Sequence, residues 1–153
     1  MVLFTKVKKH GLPLKKALET YFANRGKRVM YIDGDVKTAD RNMARAIAEK
    51  NDDLIILASY GTFSTGISIK NLHNIVFASG YKAKTKVLQS IGRGLRNRPG
   101  KDKVNIFDVV DDMSIQTADM SRRYSNSSLR HYTERAKIYV SKGFNWRSIK
   151  YKF

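Results

Sequence analysis

The sequence predicts a three-layer α/β domain with a mostly parallel sheet of five or more strands, followed by a basic, partly helical C-terminal extension. Three observations carry that expectation. Short apolar runs alternate with stretches whose apolar residues recur at helical spacing, the order that right-handed β-α-β crossovers produce. One run, DLIILAS at 53–59, is apolar almost throughout, as a strand covered on both faces requires. A length of 153 residues with 42% hydrophobic content suits one core.

Taken in order, Val2 to Val7 reads as the first strand. A helix follows, with Pro13 suited to its first turn, Leu14, Leu18 and Phe22 on one face, and Gly26 as its stop. Arg28 to Asp33 is the second strand, closed by a turn at Gly34. Thr38 can cap a helix that runs through Lys50 and turns Ala39, Met43 and Ile47 inward. Asp53 to Ser59 is the third strand, and YGTFSTGISIKN after it reads as a polar, glycine-punctuated loop. His73 to Ser79 is the fourth strand, a helix spans about Lys84 to Asn97 before Pro99-Gly100, and Val104 to Val110 is the fifth strand. From Ser127 to Lys142 the residues Leu129, Tyr132, Ala136, Ile138, Tyr139 and Val140 form a looser helical pattern. In open α/β sheets ligands collect at the carboxyl ends of the strands, which brings Gly34, the segment from Tyr60 to Lys70 and the start of the fourth helix to one edge.

Charge is the strongest compositional signal. Thirty Lys and Arg against thirteen Asp and Glu leave a formal charge of +17, a field that favours a polyanionic partner. The excess is concentrated: residues 82–103 carry eight basic side chains and one acid, and residues 120–153 carry nine and one. Aromatic residues are interleaved in the second block, which suits a docking or nucleic-acid surface better than a solvated tail. Without cysteine there is no disulfide framework or thiolate zinc site, and three scattered histidines have no metal-ligand spacing, so no metal site is expected. No apolar run reaches the length of a membrane span and no signal-peptide pattern leads the chain, so the expected protein is soluble and has no membrane partner.

Chemistry concentrates in QSIGRGLR, Gln89 to Arg96. On a helix at about 100° per residue, Gln89, Arg93 and Arg96 fall within about 60° of one another, with Gly92 beside them. Leu88, Ile91 and Leu95 lie on a separate arc that can anchor the helix. Two guanidiniums and an amide on one rigid face suit a phosphate chain, because arginine presents planar, permanently charged forks to phosphate oxygens. The competing reading is a basic helix with a solvated face.

The segment STGISIKNLHNIVFAS followed by QSIGRGLR resembles motifs V and VI of superfamily 2 helicases, in the second RecA-like domain, where the pattern is Gln-x-x-Gly-Arg-x-x-Arg. VLFTKVKKHG resembles motif IV, and YIDGDVKTADR resembles the strand, glycine turn and helix-leading arginine that follow it. Four motifs in order at domain spacing cover roughly residues 1–112, and the likeness is nearest to phage recombination and branch-migration DNA helicases. The resemblance implies a RecA-like domain at 1–112 and an extension at 113–153 that packs on the domain or its partner.

The resemblance also implies roles. Arg93 and Arg96 match the arginines that reach the β and γ phosphates of ATP, Arg96 as arginine finger, and Gln89 matches the position near the γ-phosphate or its attacking water. Thr65 and Gly66 match the motif V turn, where backbone N–H groups approach phosphate. Ser68 stands where many members have Asp, so nucleotide positioning there is weaker than phosphate contact by the arginines. Nucleotide binding is thus expected from Gly66, Ser68, Gln89, Arg93 and Arg96. Nucleic-acid backbone contacts are expected from Lys6, Lys8, His10, Thr62, Ser64 and Thr65.

There is no G-x-x-x-x-G-K-[ST] phosphate loop and no Asp-Glu box before the first strand. Asp111-Asp112 follows the fifth strand and reads as a strand cap or salt-bridge pair. ATP and Mg2+ are therefore expected to be held mainly by a separate N-terminal RecA-like domain, with this chain inactive alone. The expected function is the motor half of an ATP-dependent DNA helicase acting on single-stranded or branched DNA in the cytoplasm, the host's if phage-encoded. The alternatives are a non-catalytic nucleic-acid-binding module on a RecA-like scaffold and an RNA helicase domain.

Overall fold

The computed structural model describes residues 1–4, 7–66, 68–80 and 84–151; the side chains of Val7, Lys8, Ser64, Thr65 and Gly66 lie outside that description. Strands β1 (Val2–Phe4), β2 (Arg28–Ile32), β3 (Leu54–Ser59), β4 (Asn74–Phe77) and β5 (Asn105–Asp108) form one sheet in the order β2-β3-β1-β4-β5. Every neighbouring pair in it is parallel. The mostly parallel three-layer α/β fold expected from the sequence is therefore the fold observed. Leu3 and Phe4 on the central strand, Ile56, Leu57 and Ala58 on β3, and Ile75 and Phe77 on β4 are buried, which places the core across the middle of the sheet. On the edge strand β5, Phe107 is exposed.

Strand ends are shorter than expected. β1 stops at Phe4, and Val7–Gly11 forms a wide helical turn that leads into α1 (Leu12–Phe22). Gly11 closes that turn against the Phe4 ring: a Cβ there would lie 2.4 Å from Phe4 Cε2, so only glycine permits the approach. Leu14, Leu18 and Phe22 share the half-buried face of α1, and Gly26, at φ +62°, supplies the left-handed turn after it.

α2 (Thr38–Lys50) has the expected limits but not the expected face. Ala44 and Ala48 are buried, Ile47 is half-buried, and Ala39 and Met43 face solvent. Hydrophobicity favoured Met43, whereas close approach to the sheet favours the two small side chains. Lys37 occupies the N-cap position, so Thr38 begins the helix instead of capping it.

The segment after β3 is a second correction, because Tyr60–Gly66 is a helix, α3, and not a loop. Two glycines and three hydroxyl residues give it poor intrinsic propensity. Burial of Tyr60 and Phe63 on one face compensates, and the Ser59 hydroxyl accepts the Thr62 N–H at 3.2 Å as an N-cap does.

Beyond β5, Ile115–Gln116 (β6) and Arg123–Tyr124 (β7) make an antiparallel hairpin, and α5 spans Ser127–Ser141. Asp112 pairs with Arg123 at 2.8 Å, the salt-bridge role expected of Asp111-Asp112. α5 contributes Ile138 and Tyr139 to the interior, with Phe144 packed against the same core. Among the described residues no helix is long and apolar enough to cross a membrane.

Candidate functional site

α4 spans Lys84–Gly94 and is anchored by Val87 and Ile91, both buried. Ser90 is buried as well, and its hydroxyl is satisfied by donating to Lys86 O at 2.8 Å. The helix lies tightly on the sheet at Gly94, where a Cβ would come within 2.7 Å of Ile75 Cδ1 and 3.2 Å of Val104 Cγ1.

The helix ends at Gly94, three residues short of the expected Asn97, so Arg96 is not part of a helical stripe. Leu95 N still donates to Ile91 O at 3.0 Å, but Pro99 disfavours helical geometry at Arg98 and Gly100 turns the chain at φ +78°. Arg96 lies between the end of α4 and this turn and donates to the Ser68 hydroxyl in the segment after α3. Gln89 is exposed on α4 and Arg93 is half-buried. The Arg93 guanidinium lies 5.9 Å from the centroid of the buried Phe63 ring. Burial first, and the nearby Arg96 charge second, push Arg93 below its ordinary value. The two arginines thus share one field although different local structures hold them.

Two side chains that sequence reasoning missed set this geometry. Lys101 donates to Gly94 O at 2.7 Å and to Lys70 O at 2.8 Å, so one ammonium closes the carboxyl end of α4 and ties it to the Ser68 segment. Glu49 of α2 holds that segment from the other side, accepting Lys70 N at 2.6 Å and Asn71 N at 3.2 Å. Asn71 completes the brace by donating to Ala48 O at 3.0 Å and Asp52 Oδ1 at 2.8 Å. A lysine just past a Pro-Gly turn was the only sequence signal for Lys101, and nothing local marked Glu49.

The other expected residues divide. Thr62 is buried and its hydroxyl pairs with Ser59 Oγ at 2.8 Å, so it faces the interior instead of a nucleic-acid strand. His10 lines a cleft of about 340 Å³ with Ser79, Gly80, Asp111 and Ser128, beyond the carboxyl ends of β4 and β5. Lys6 lies outside the described residues, as do the side chains of Lys8, Ser64, Thr65 and Gly66. Gln89, Arg93 and Arg96 are chemically suited to the outer side of a triphosphate. A divalent cation is not matched in the same way, since no group of three His, Asp or Glu able to hold one occurs among the described residues.

A third arginine lies at the same end of the sheet. Arg135 of α5 is wholly buried and forks onto Asp108 with both bonds at 2.7 Å, while Tyr139 donates its hydroxyl to Asp108 Oδ2 at 2.7 Å. Burial alone would lower the Arg135 value, but the hydrogen bonds and charge of Asp108 outweigh it and raise it. Tyr60 of α3 reaches the same region and donates to Ser79 O at 3.1 Å.

Residues 1–98 match the family described as the helicase conserved C-terminal domain. The chain is 39% identical over 149 residues to the ATP-dependent DNA helicase UvsW of Enterobacteria phage T4, covering 95% of this chain and 29% of that protein. The crystal structure of T4 UvsW superposes with a TM-score of 0.67 at 40% identity, over 94% of this chain and 29% of that one. Domain 2 of the DEAD-box helicase Mss116p, solved bound to an RNA duplex, has a TM-score of 0.59 at 17% identity over 72% of this chain and 41% of that one, a likeness of fold alone. The chain thus spans less than a third of the UvsW length.

Proposed function

The chain belongs to the helicase conserved C-terminal domain family, and from that premise we propose that it is the motor half of an ATP-dependent DNA helicase or translocase. Its substrate is single-stranded or branched DNA, and its work is unwinding or branch migration in recombination and repair. The observation that carries this reading is the pairing of Arg93 and Arg96 at the exposed end of α4, braced against the Ser68 segment by Lys101 and Glu49.

Arg96 is the arginine finger, Arg93 binds phosphate beside it, and Gln89 orients the group or water near the γ-phosphate. ATP, when bound, would supply the γ-phosphoryl group whose transfer to water provides the free energy. Once the domains close, guanidiniums aimed at the transferred group stabilise its charge, a contribution of about 10³ to 10⁵ in rate for arginine fingers. The phosphate cradle and the Mg2+ ligands belong to a second RecA-like domain, so this chain alone does not turn over ATP. Ser68 accepts from Arg96 as a neutral hydroxyl, which leaves the finger without an ion pair at that position and able to move to phosphate when the domains close.

Strand contacts come from Lys6, Lys8, His10, Ser64 and Thr65, with Gly66 permitting backbone approach to phosphate. A two-domain protein containing this chain should hydrolyse ATP in response to DNA. Arg96→Ala should lower that turnover at least about 10³-fold with DNA affinity nearly unchanged. Full turnover in the variant removes Arg96 from the role.

A further inference from the structure

The end of α5 sets the direction of the segment that follows. Phe144 N donates to Tyr139 O and Gly143 N to Val140 O, each at 3.0 Å, with Gly143 at φ +65°. This is the paired closure that a left-handed glycine permits at a helix end, and it turns the chain sharply off the helix axis. Phe144 then packs against the core, and the Trp146 ring lies 6.3 Å from that of Tyr139 at 59°. From Phe144 to Tyr151 the backbone belongs to no helix or sheet.

This segment presents aromatic, apolar and basic side chains to solvent and carries no acid. Trp146, Ile149 and Tyr151 are exposed, at 41%, 55% and 75%. Lys142, Arg147 and Lys150 are exposed among them, and Glu134 is the last acid in the chain. Aromatic faces alternating with cations suit single-stranded nucleic acid, because every base has a face to stack and every linkage a phosphate to neutralise. The β6-β7 hairpin is a contrast within the same molecule. It exposes Met113, Ile115, Met120 and Tyr124, but Asp111, Asp112 and Asp119 outnumber Arg122 and Arg123, and Arg123 is already paired with Asp112. Its charge has the wrong sign for a polyanion.

We propose that the segment Lys142 to Tyr151 is a second nucleic-acid contact, which holds single-stranded DNA or RNA by stacking on Trp146 and Tyr151 and by phosphate pairing with Lys142, Arg147 and Lys150. It deepens the proposed function by adding a grip that none of the helicase motifs contains. Docking of Trp146 against Tyr139 holds one stacking face in place before the strand arrives, so little ordering cost falls on that residue.

Trp146 is the only tryptophan in the chain, so its emission reports on this segment alone. The 153-residue chain is titrated with labelled oligothymidylate of about 15 nucleotides, a length in the range of single-strand sites, with anisotropy and tryptophan emission followed together. The emission should be quenched in step with binding. Tyr151→Ala should weaken binding about tenfold, the effect of losing one stacked base. Replacing Lys142, Arg147 and Lys150 together by Gln should lower the slope of log K against log salt by about 2. Saturating anisotropy with flat emission, or variants that bind as the parent does, overturns the proposal. So does an emission change that appears only on adding the second helicase domain, which would assign the segment to a protein interface. Arg96→Ala should leave the quenching intact, so failure of the ATPase assignment and failure of this one are separately visible.

Discussion

Arg135 and Arg96 are the same side chain in opposite circumstances. Arg135 is sealed between α5 and β5 with both forks on the Asp108 carboxylate, and that contact raises its affinity for its proton. Arg96 stands exposed past the end of α4 with a serine hydroxyl as partner, and its charge adds to burial, the larger cause, in lowering the proton affinity of Arg93 beside it. In the first case the guanidinium's charge is neutralised inside the protein and serves the fold. In the second, two like charges are held close by burial on Phe63 and by the Lys101 brace, an arrangement a bound polyphosphate would relieve. Basic residues in one chain therefore divide by which partner the fold provides, and sequence count alone does not separate them.

The largest expected effect tests the exposed member. Arg96→Ala in the two-domain protein should cost at least about 4 kcal/mol in the activation barrier, the equivalent of a 10³-fold loss of turnover. Its unfolding free energy should stay within about 0.5 kcal/mol of the parent, as for other surface changes. A large stability loss would break the contrast by making Arg96 structural. The reverse holds for Arg135→Ala, which strands the Asp108 carboxylate and should destabilise the domain by about 3–5 kcal/mol in urea unfolding. Arg135→Met combined with Asp108→Leu should recover part of that loss, because the unpaired charge is gone although the Tyr139 hydroxyl loses its acceptor.

Gly94→Ala sharpens the comparison from the backbone side. A methyl group there meets Ile75 and Val104, and overpacking of this kind costs about 1–3 kcal/mol. Turnover should fall further than the stability loss explains, since the same shift moves Arg96 and Lys101.

The smallest effect concerns pH. Burial first, then the Asp108 charge and hydrogen bond, raise Tyr139 well above the usual phenol range. A folded-state value raised above the unfolded one contributes stability that is complete below about pH 10 and is lost as pH rises beyond it. Thermal midpoints should therefore decline above about pH 10. Tyr31, pushed up to about 12 by burial first and Asp33 second, adds to the same decline. Tyr139→Phe should make the decline shallower without removing it, and a profile identical to the parent would take Tyr139 out of the network.

Much of the fold was legible, for reasons that differ by element. The five strands announced themselves by short apolar runs, and DLIILAS at 53–59 announced its burial on both faces because water is excluded from both sides of β3. Strand ends were not legible, since parallel pairing stops where the neighbouring strand stops, as at Phe4, which pairs with Ser59 at the end of β3. α3 was hidden because its propensity is poor and its stability comes from Tyr60 and Phe63 entering a core that other segments build. The inward face of α2 was misread because Ala44 and Ala48 win on closeness to the sheet and not on hydrophobicity.

The sequence by itself determined the fold class, the strand order along the chain, the family and the concentration of arginine at QSIGRGLR, because these rest on local periodicity, composition and motif spacing. Only the tertiary structure decided where α4 ends, that Arg96 reaches Ser68, that Lys101 and Glu49 brace the pair, and that Arg135 belongs to the interior. Those outcomes turn on hydrogen bonds and close approaches between segments 21 to 31 residues apart in the chain, and no local pattern encodes a partner at that distance.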